Sequence, residues 1–462
     1  MLNKNLLASF QALKDVYSED AFSNLALNKA ISDHRDCEPA FVRAMVKGVL
    51  RNSILLDYYI DGLASKGIKK IKYRTLILLR MGIFAIEEMD SMPEYAAVNE
   101  VVTLARKVSG GTAGFINAVL RNYLRKRKSL YTDTWKNPVT GKKSREENLS
   151  VRYSYAPELV NLFIEQYGYD EAEKIMAAMN DGQPLVIRTN PLRTTREALM
   201  EKLEEEGCRC SEADGTRLGI VVNEGSPLGT SLFGEGLFSV QGKSSMTAVQ
   251  HLADLSGQAA AFGEENDFSN KNSKATELKY LDLCSAPGGK TCELAELTGD
   301  IHEILACDIY SHRLELVNSN VKRLGIKGIR TEIHDGTEKV EEWENSFQLV
   351  VADVPCSGLG TIGAKPEIKL RFDVEEIRDL PEIQKKILAN AFSYVKPGGY
   401  LMYSTCTLNK DENDGVINWF LQWRKEAGDV ETIEKCLLLP YNITTGFYWC
   451  IMRKKQEAPE NK

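Results

Sequence analysis

Residues 280–291 read YLDLCSAPGGKT: an apolar run, two adjacent glycines, and a helical pattern opening at about Thr291. Glycines at such a place let a backbone turn pass close to a ligand ahead of a helix. A Walker phosphate loop would need glycine where Cys284 stands, and a GxGxxG dinucleotide fingerprint is absent. Working outward, short buried runs alternate with helical ones at 279–283, 303–307, 330–333, 348–352 and 400–404, with 447–452 closing. That alternation predicts a doubly wound parallel sheet, an α/β Rossmann-like domain over 279–455, with ligands bound beyond the carboxyl ends of its strands.

Chemistry-bearing residues fall at those ends. Asp308 closes the second strand at a spacing from Gly289 that suits a carboxylate accepting from a ribose diol, and Asp335, after the third, is placed to receive an adenine amino group. An adenosine without a pyrophosphate points to S-adenosylmethionine. The fourth strand, FQLVVADVPCSGLGT (347–361), delivers Asp353 and Cys356, and the fifth, YLMYSTCTLN (400–409), delivers Cys406. A lone free cysteine is commonly inert core, but two beside a methyl-donor site are a different matter. Carbon 5 of cytosine is a poor nucleophile until a thiolate adds at C6 and converts the ring to an enamine. Afterwards the C5 proton must leave and the thiolate must be expelled, which needs a second polar group nearby. A carboxylic group such as Asp353 at the N3 edge would assist the attack.

The rest of the chain has a different character. The 462 residues, 43% hydrophobic and 27% charged, suit two or three globular domains. Up to about residue 130 the periodicity is helical: Phe41, Val42, Met45, Val46, Val49 and Leu50 form one apolar stripe, and similar patterns follow at 54–63, 75–86, 96–107 and 115–124. The expected organisation is an all-helical bundle over 1–145 and a small α+β (RRM-like) domain over 146–255. A linker or loop over 256–278, the α/β domain over 279–455 and a tail over 456–462 complete it. A net charge of −7 argues against coating nucleic acid through a global field, but basic clusters stand at Lys66, Lys69, Lys70, Lys72 and Arg74 and between Arg121 and Arg145. With no stretch of roughly 18 apolar residues and no signal-peptide pattern, a cytoplasmic protein without a membrane partner is expected. The ten cysteines then read as free thiols. Cys208 and Cys210 form a CxC without a second suitably spaced pair, so no metal is expected.

The motifs LDLCSAPGGKT, ADVPCSGLGT, KPEIK and YSTCTLNKDEN resemble those of the RNA 5-methylcytosine methyltransferases over essentially the whole C-terminal half. The resemblance implies that Cys406, in the TC motif, is the nucleophile and that Cys356, in the PC motif, assists product release. DNA cytosine methyltransferases use the PC cysteine as nucleophile instead. It further implies cofactor contacts from Cys284, Ser285, Ala286, Pro287, Gly288, Gly289, Lys290, Asp308, Asp335 and Asp353. EPAFVRAMVKGVLRN, MPEYAAVNEVVTLARK and GGTAGFINAVLRNYLRK are similar to the NusB-type RNA-binding bundle. The combination resembles the bacterial 16S rRNA methyltransferase B (RsmB/Sun) family. That implies 16S rRNA as partner, an exposed or flipped cytosine as target, S-adenosyl-L-methionine as cofactor and a monomer.

Departures from the family pattern are Gly242 and Lys243 after Gln241, Ile362 to Ala364 before KPEIK, and the missing acid ahead of GFYWC. Two alternatives share much of the pattern: a tRNA cytosine methyltransferase, and a non-catalytic NusB-like ribosome assembly factor.

Overall fold

Helix Tyr73–Glu88 buries the run from Ile77 to Ile86 on all sides, so other helices must surround it. The computed structural model, which describes residues 2–19, 21–141, 143–257 and 279–456, shows them doing so. Helices Lys4–Ser18, Ser23–Asp33, Pro39–Arg51, Ser53–Leu63, Glu94–Val108 and Ala113–Lys126 complete the bundle. Two glycines permit the tightest approaches. A Cβ on Gly48 would lie 1.9 Å from the Phe84 ring, and one on Gly82 would lie 2.6 Å from Leu120. The expected linker and tail lie outside the described residues except for Ser256, Gly257 and Gln456. Among the described residues no helix is long and apolar enough to cross a membrane.

The chain divides into two compact units. The first runs to Gly182 and also takes in Ile362–Val374. Helices Arg145–Tyr153, Pro157–Tyr167 and Tyr169–Asn180 fall within this first unit. Val151 packs into the bundle core, and the Leu55 amide donates to the Ser154 hydroxyl at 2.9 Å. The segment 362–374 is bound by polar anchors. Glu367 accepts from the Ser23 amide at 3.0 Å, and Lys369, fully buried, donates to Tyr153 O and Asn180 Oδ1, both at 2.8 Å. Arg371 donates to the carbonyls of Val16 and Ala21 at 2.5 and 3.0 Å.

The second unit holds two sheets. The smaller is antiparallel: β1 (Leu185–Thr189), β2 (Arg209–Glu212), β3 (Gly219–Glu224) and β4 (Phe238–Val240), in the order β2-β3-β1-β4. The larger contains β5 (Lys279–Asp282), β6 (Glu303–Asp308), β7 (Ile329–Ile333), β8 (Phe347–Asp353), β9 (Val395–Thr405), β10 (Val430–Leu438) and β11 (Phe447–Lys454), in the order β10-β11-β9-β8-β5-β6-β7. It is mixed rather than wholly parallel, because β11 runs antiparallel to both β9 and β10. Strand order reverses beside β5, which pairs with β6 on one side and β8 on the other, the place where ligands sit in such sheets. Arg188, fully buried on β1, joins the small sheet to helix Gly289–Leu297. It pairs with Glu296 at 2.7 Å and donates to Gly289 O at 2.8 Å and to the Gln241 side chain. Such a buried cation needs these partners, and they fasten the helix that opens the glycine loop.

Candidate active site

The loop from Cys284 to Lys290 leaves the carboxyl end of β5 and bends over β6, where the Ser285 amide donates to Cys307 O at 2.8 Å. Gly288, with φ 99°, takes a left-handed turn that a side chain would strain, and helix Gly289–Leu297 starts at once, two residues ahead of expectation. Arg313 and Asn320 hold the carbonyls of Ala286 and Pro287 at 3.2 and 3.0 Å. The Ser285 hydroxyl is buried and has no hydrogen-bond partner among the described residues, the mark of a group waiting for a ligand. Burial pushes the Cys284 thiol well above its ordinary value, so it is no nucleophile.

Asp308 and Asp335 stand beyond neighbouring strand ends. Asp308 accepts from the Tyr310 amide at 3.2 Å and from Arg313 at 3.1 Å. Asp335 accepts from the amide and hydroxyl of Thr337, which hold its carboxyl below the usual range and keep it an acceptor. The β6–β7 register sets Asp308 opposite Ile333, and both Ile333 and Ile309 are exposed, at 62% and 47%. Carboxylates beside bare aliphatic side chains suit an adenosine: acceptors for the sugar and amino groups, apolar cover for the ring.

β8 and β9 run parallel with Asp353 opposite Ser404, so the segments leaving them travel side by side. Their thiols meet: Cys356 Sγ lies 3.3 Å from Cys406 Sγ. The Cys406 thiol, and burial after it, push Cys356 well above its ordinary value, so it holds its proton. Asp353 accepts from Lys290 at 2.6 Å and from the Ser404 hydroxyl at 2.8 Å. Burial disfavours the Lys290 ammonium, but Asp353 outweighs it and Cys406 adds to the effect, leaving the lysine raised. A cation is thus fixed within electrostatic reach of the Cys406 sulfur.

Sequence reasoning overlooks the support beneath these groups. Glu412, fully buried, accepts from the Ser357 amide at 2.9 Å, the Ser357 hydroxyl at 2.5 Å, Gln384 at 2.9 Å and Asn409 at 3.0 Å. It sits in a π-helical turn, Asp411–Gly415, and clamps the residue next to Cys356. Its only signal is a place in YSTCTLNKDEN, inside an acidic run that reads as solvated. Gly360 matters for closeness: its amide donates to Cys406 O and its carbonyl accepts from the Gly446 amide, both at 2.9 Å, and a Cβ there would lie 2.0 Å from Gly446 O. Of the departures, Gly242 caps helix Lys243–Leu255, while Ile362 to Ala364 belong to the first unit. Cys208 and Cys210 are free thiols at β2.

Three family profiles match the chain. They are described as 16S rRNA methyltransferase RsmB/F over residues 271–444, the NusB family over 3–125, and the ferredoxin-like domain of RsmF/B-like methyltransferases over 158–228. A probable ribosomal RNA small subunit methyltransferase B of Bacillus subtilis is 30% identical, with 97% of this chain and 98% of the relative aligned. The ribosomal RNA small subunit methyltransferase B of Pseudomonas putida is 28% identical over the same shares. A human 28S rRNA (cytosine(4447)-C(5))-methyltransferase is 31% identical over 60% of this chain and 33% of its own length. Among solved structures, PH0851 superposes with a TM-score of 0.78 at 22% identity, covering 98% of this chain and 99% of that one. NSun6 from Pyrococcus horikoshii gives 0.52 at 19% identity, over 64% and 97%. These two likenesses concern the fold.

Proposed function

Because the chain belongs to the ribosomal RNA small subunit methyltransferase B family, we propose that it methylates C5 of a cytosine in 16S rRNA with S-adenosylmethionine as donor. The observation that carries the mechanism is the 3.3 Å approach of Cys356 and Cys406 at the ends of adjacent parallel strands. S-adenosylmethionine supplies a methyl group activated on a sulfonium. Residues 284–290, with Asp308 and Asp335, are the ones that would hold it, the unpartnered Ser285 hydroxyl among them.

Cys406 as thiolate forms a bond to C6 of the cytosine, and the ring's electron pair moves to C5, which takes the methyl group. Lys290 stabilises the anionic sulfur before attack, and Asp353, held by Lys290 and Ser404, faces the polar edge of the base. The C5 proton then leaves and the S–C6 bond breaks, returning its electron pair to Cys406. A solvent base takes the C5 proton, and Cys356, which keeps its own, assists by hydrogen-bonding its thiol to the departing Cys406 sulfur. A duplex hides C5 and C6, so the target cytosine must be unpaired or flipped out.

With a 16S rRNA transcript and S-adenosylmethionine, Cys406→Ala should abolish methylation, whereas Cys356→Ala should accumulate a covalent protein–RNA adduct on a denaturing gel. Normal turnover by Cys406→Ala would sink the mechanism. Bisulfite mapping of rRNA and tRNA from a deletion strain tests the target: unchanged rRNA, or a change confined to tRNA, would defeat the assignment.

A further inference from the structure

Helix Pro39–Arg51 buries Phe41, Val42, Met45, Val46, Val49 and Leu50, while Arg43, Lys47 and Arg51 recur at i, i+4 and i+8 on another line. Like charges four residues apart repel along a helix, so this row works against the helix that carries it. Burial, followed by the Arg51 guanidinium, pulls the Lys47 ammonium below its ordinary range; Arg43 adds to this and Glu367 opposes it. Among the described residues neither Arg43 nor Lys47 has a carboxylate at ion-pairing distance. Arg51 donates to Gly363 O at 3.3 Å, but its Nε is buried without a partner.

The row lines a cavity of about 680 Å³ in the first unit. Lys136 and Arg152 also border it, against two carboxylates, Glu88 and Asp181. Glu88 is already taken by Lys136 at 3.1 Å, and Arg152 turns to Glu173 at 3.3 Å. The row is therefore left with Asp181 as the one remaining acid of the lining, so the cavity is prepared for negative charge. Members of the row are spaced about 6 Å apart along the helix axis, about 12 Å in all. That is too long for one phosphate group and comparable to a run of successive phosphates along a strand.

We propose that this cavity seats the phosphodiester backbone of the RNA substrate, with Arg43, Lys47 and Arg51 each facing a phosphate. The identity of the substrate rests on the reading of the chain as an rRNA methyltransferase; the seat itself reads phosphate, whatever the sequence. The test uses the full chain with Arg43→Gln and Lys47→Met together, and measures affinity against salt for a 16S rRNA fragment and for a random-sequence RNA of equal length. Removing two phosphate contacts should weaken both by about tenfold or more at low salt and lower the slope of log K against log salt by about 1.4. KM for rRNA should rise, S-adenosylmethionine affinity should stay the same, and relief of repulsion should leave the melting temperature no lower. If the double variant melts lower, Arg43→Gln alone, at an exposed position, should still lower the slope by about 0.7. An unchanged slope for both RNAs would overturn the seat. So would loss of inorganic pyrophosphate binding with RNA affinity intact, which would mark a site for a free anion. If the wild-type protein leaves 16S rRNA unmethylated while the variant loses affinity for both RNAs, the rRNA reading fails and the seat stands.

Discussion

At Asp282, burial outweighs the hydrogen bond from Thr291 and pushes the carboxyl up to about 7. Its folded pKa thus lies above the ordinary 3.8, so folding favours the protonated form. The stability this contributes is complete below pH 3.8 and is lost as pH rises through about 7. Asp282→Asn, neutral throughout, should therefore match the wild type near pH 4 and exceed it at pH 8 by up to about 4 kcal/mol, read from urea denaturation across that range. Equal stabilities at both ends would show that Asp282 is not held neutral. Glu293, pushed to about 8 chiefly by burial, slopes the same way and remains in both proteins. Cys356 and Cys406 are legible in the sequence because each follows an apolar run at a strand end. Arg188 and Glu412 are not, since their roles depend on partners 108 and 55 residues away, and a buried charge looks like any surface charge until its partner is known.

Within the larger sheet, the strand that escapes sequence reading is β10, which lies at a sheet edge. An edge strand needs no continuous apolar run, and charges such as Glu431, Glu434 and Lys435 on β10 suit an edge while masking the strand pattern. The inner strands β5, β6, β8 and β9 are buried on both faces, so their runs are plain. The π-helical turn Asp411–Gly415 is invisible for another reason: it is set by what Glu412 binds, and no local propensity announces it. Glu412→Ala would take one acceptor from each of Ser357, Gln384 and Asn409 and loosen the loop that carries Cys356. Single-turnover methylation should slow by about 100-fold or more while S-adenosylmethionine affinity changes little, and Glu412→Gln should recover part of the rate. An unchanged rate in Glu412→Ala would remove the clamp from the account.

At the scale of the molecule, composition and motif order give three regions, but not the two compact units. The reason is that unit membership depends on which apolar faces meet. Val151 of helix Arg145–Tyr153 packs into the bundle core, and Arg188 ties the small sheet to the helix after the glycine loop. The excursion 362–374 is the extreme case, for its neighbours in sequence all belong to the other unit. A fragment of residues 1–182 should melt several degrees below the same region within the full chain, and a synthetic 362–374 peptide should restore part of the difference. A fragment already at full stability would show that Glu367, Lys369 and Arg371 contribute little.

The excursion also imposes a schedule on synthesis. Residue 362 is made 180 residues after Gly182, the last of the bundle's own continuous stretch. At about 5–20 residues per second that is a delay of roughly 10 to 40 s. Throughout that interval the nascent bundle lacks the strand of chain that Ser23, Tyr153 and Asn180 are built to bind, and it becomes whole only when the Cys356 loop has already left the ribosome.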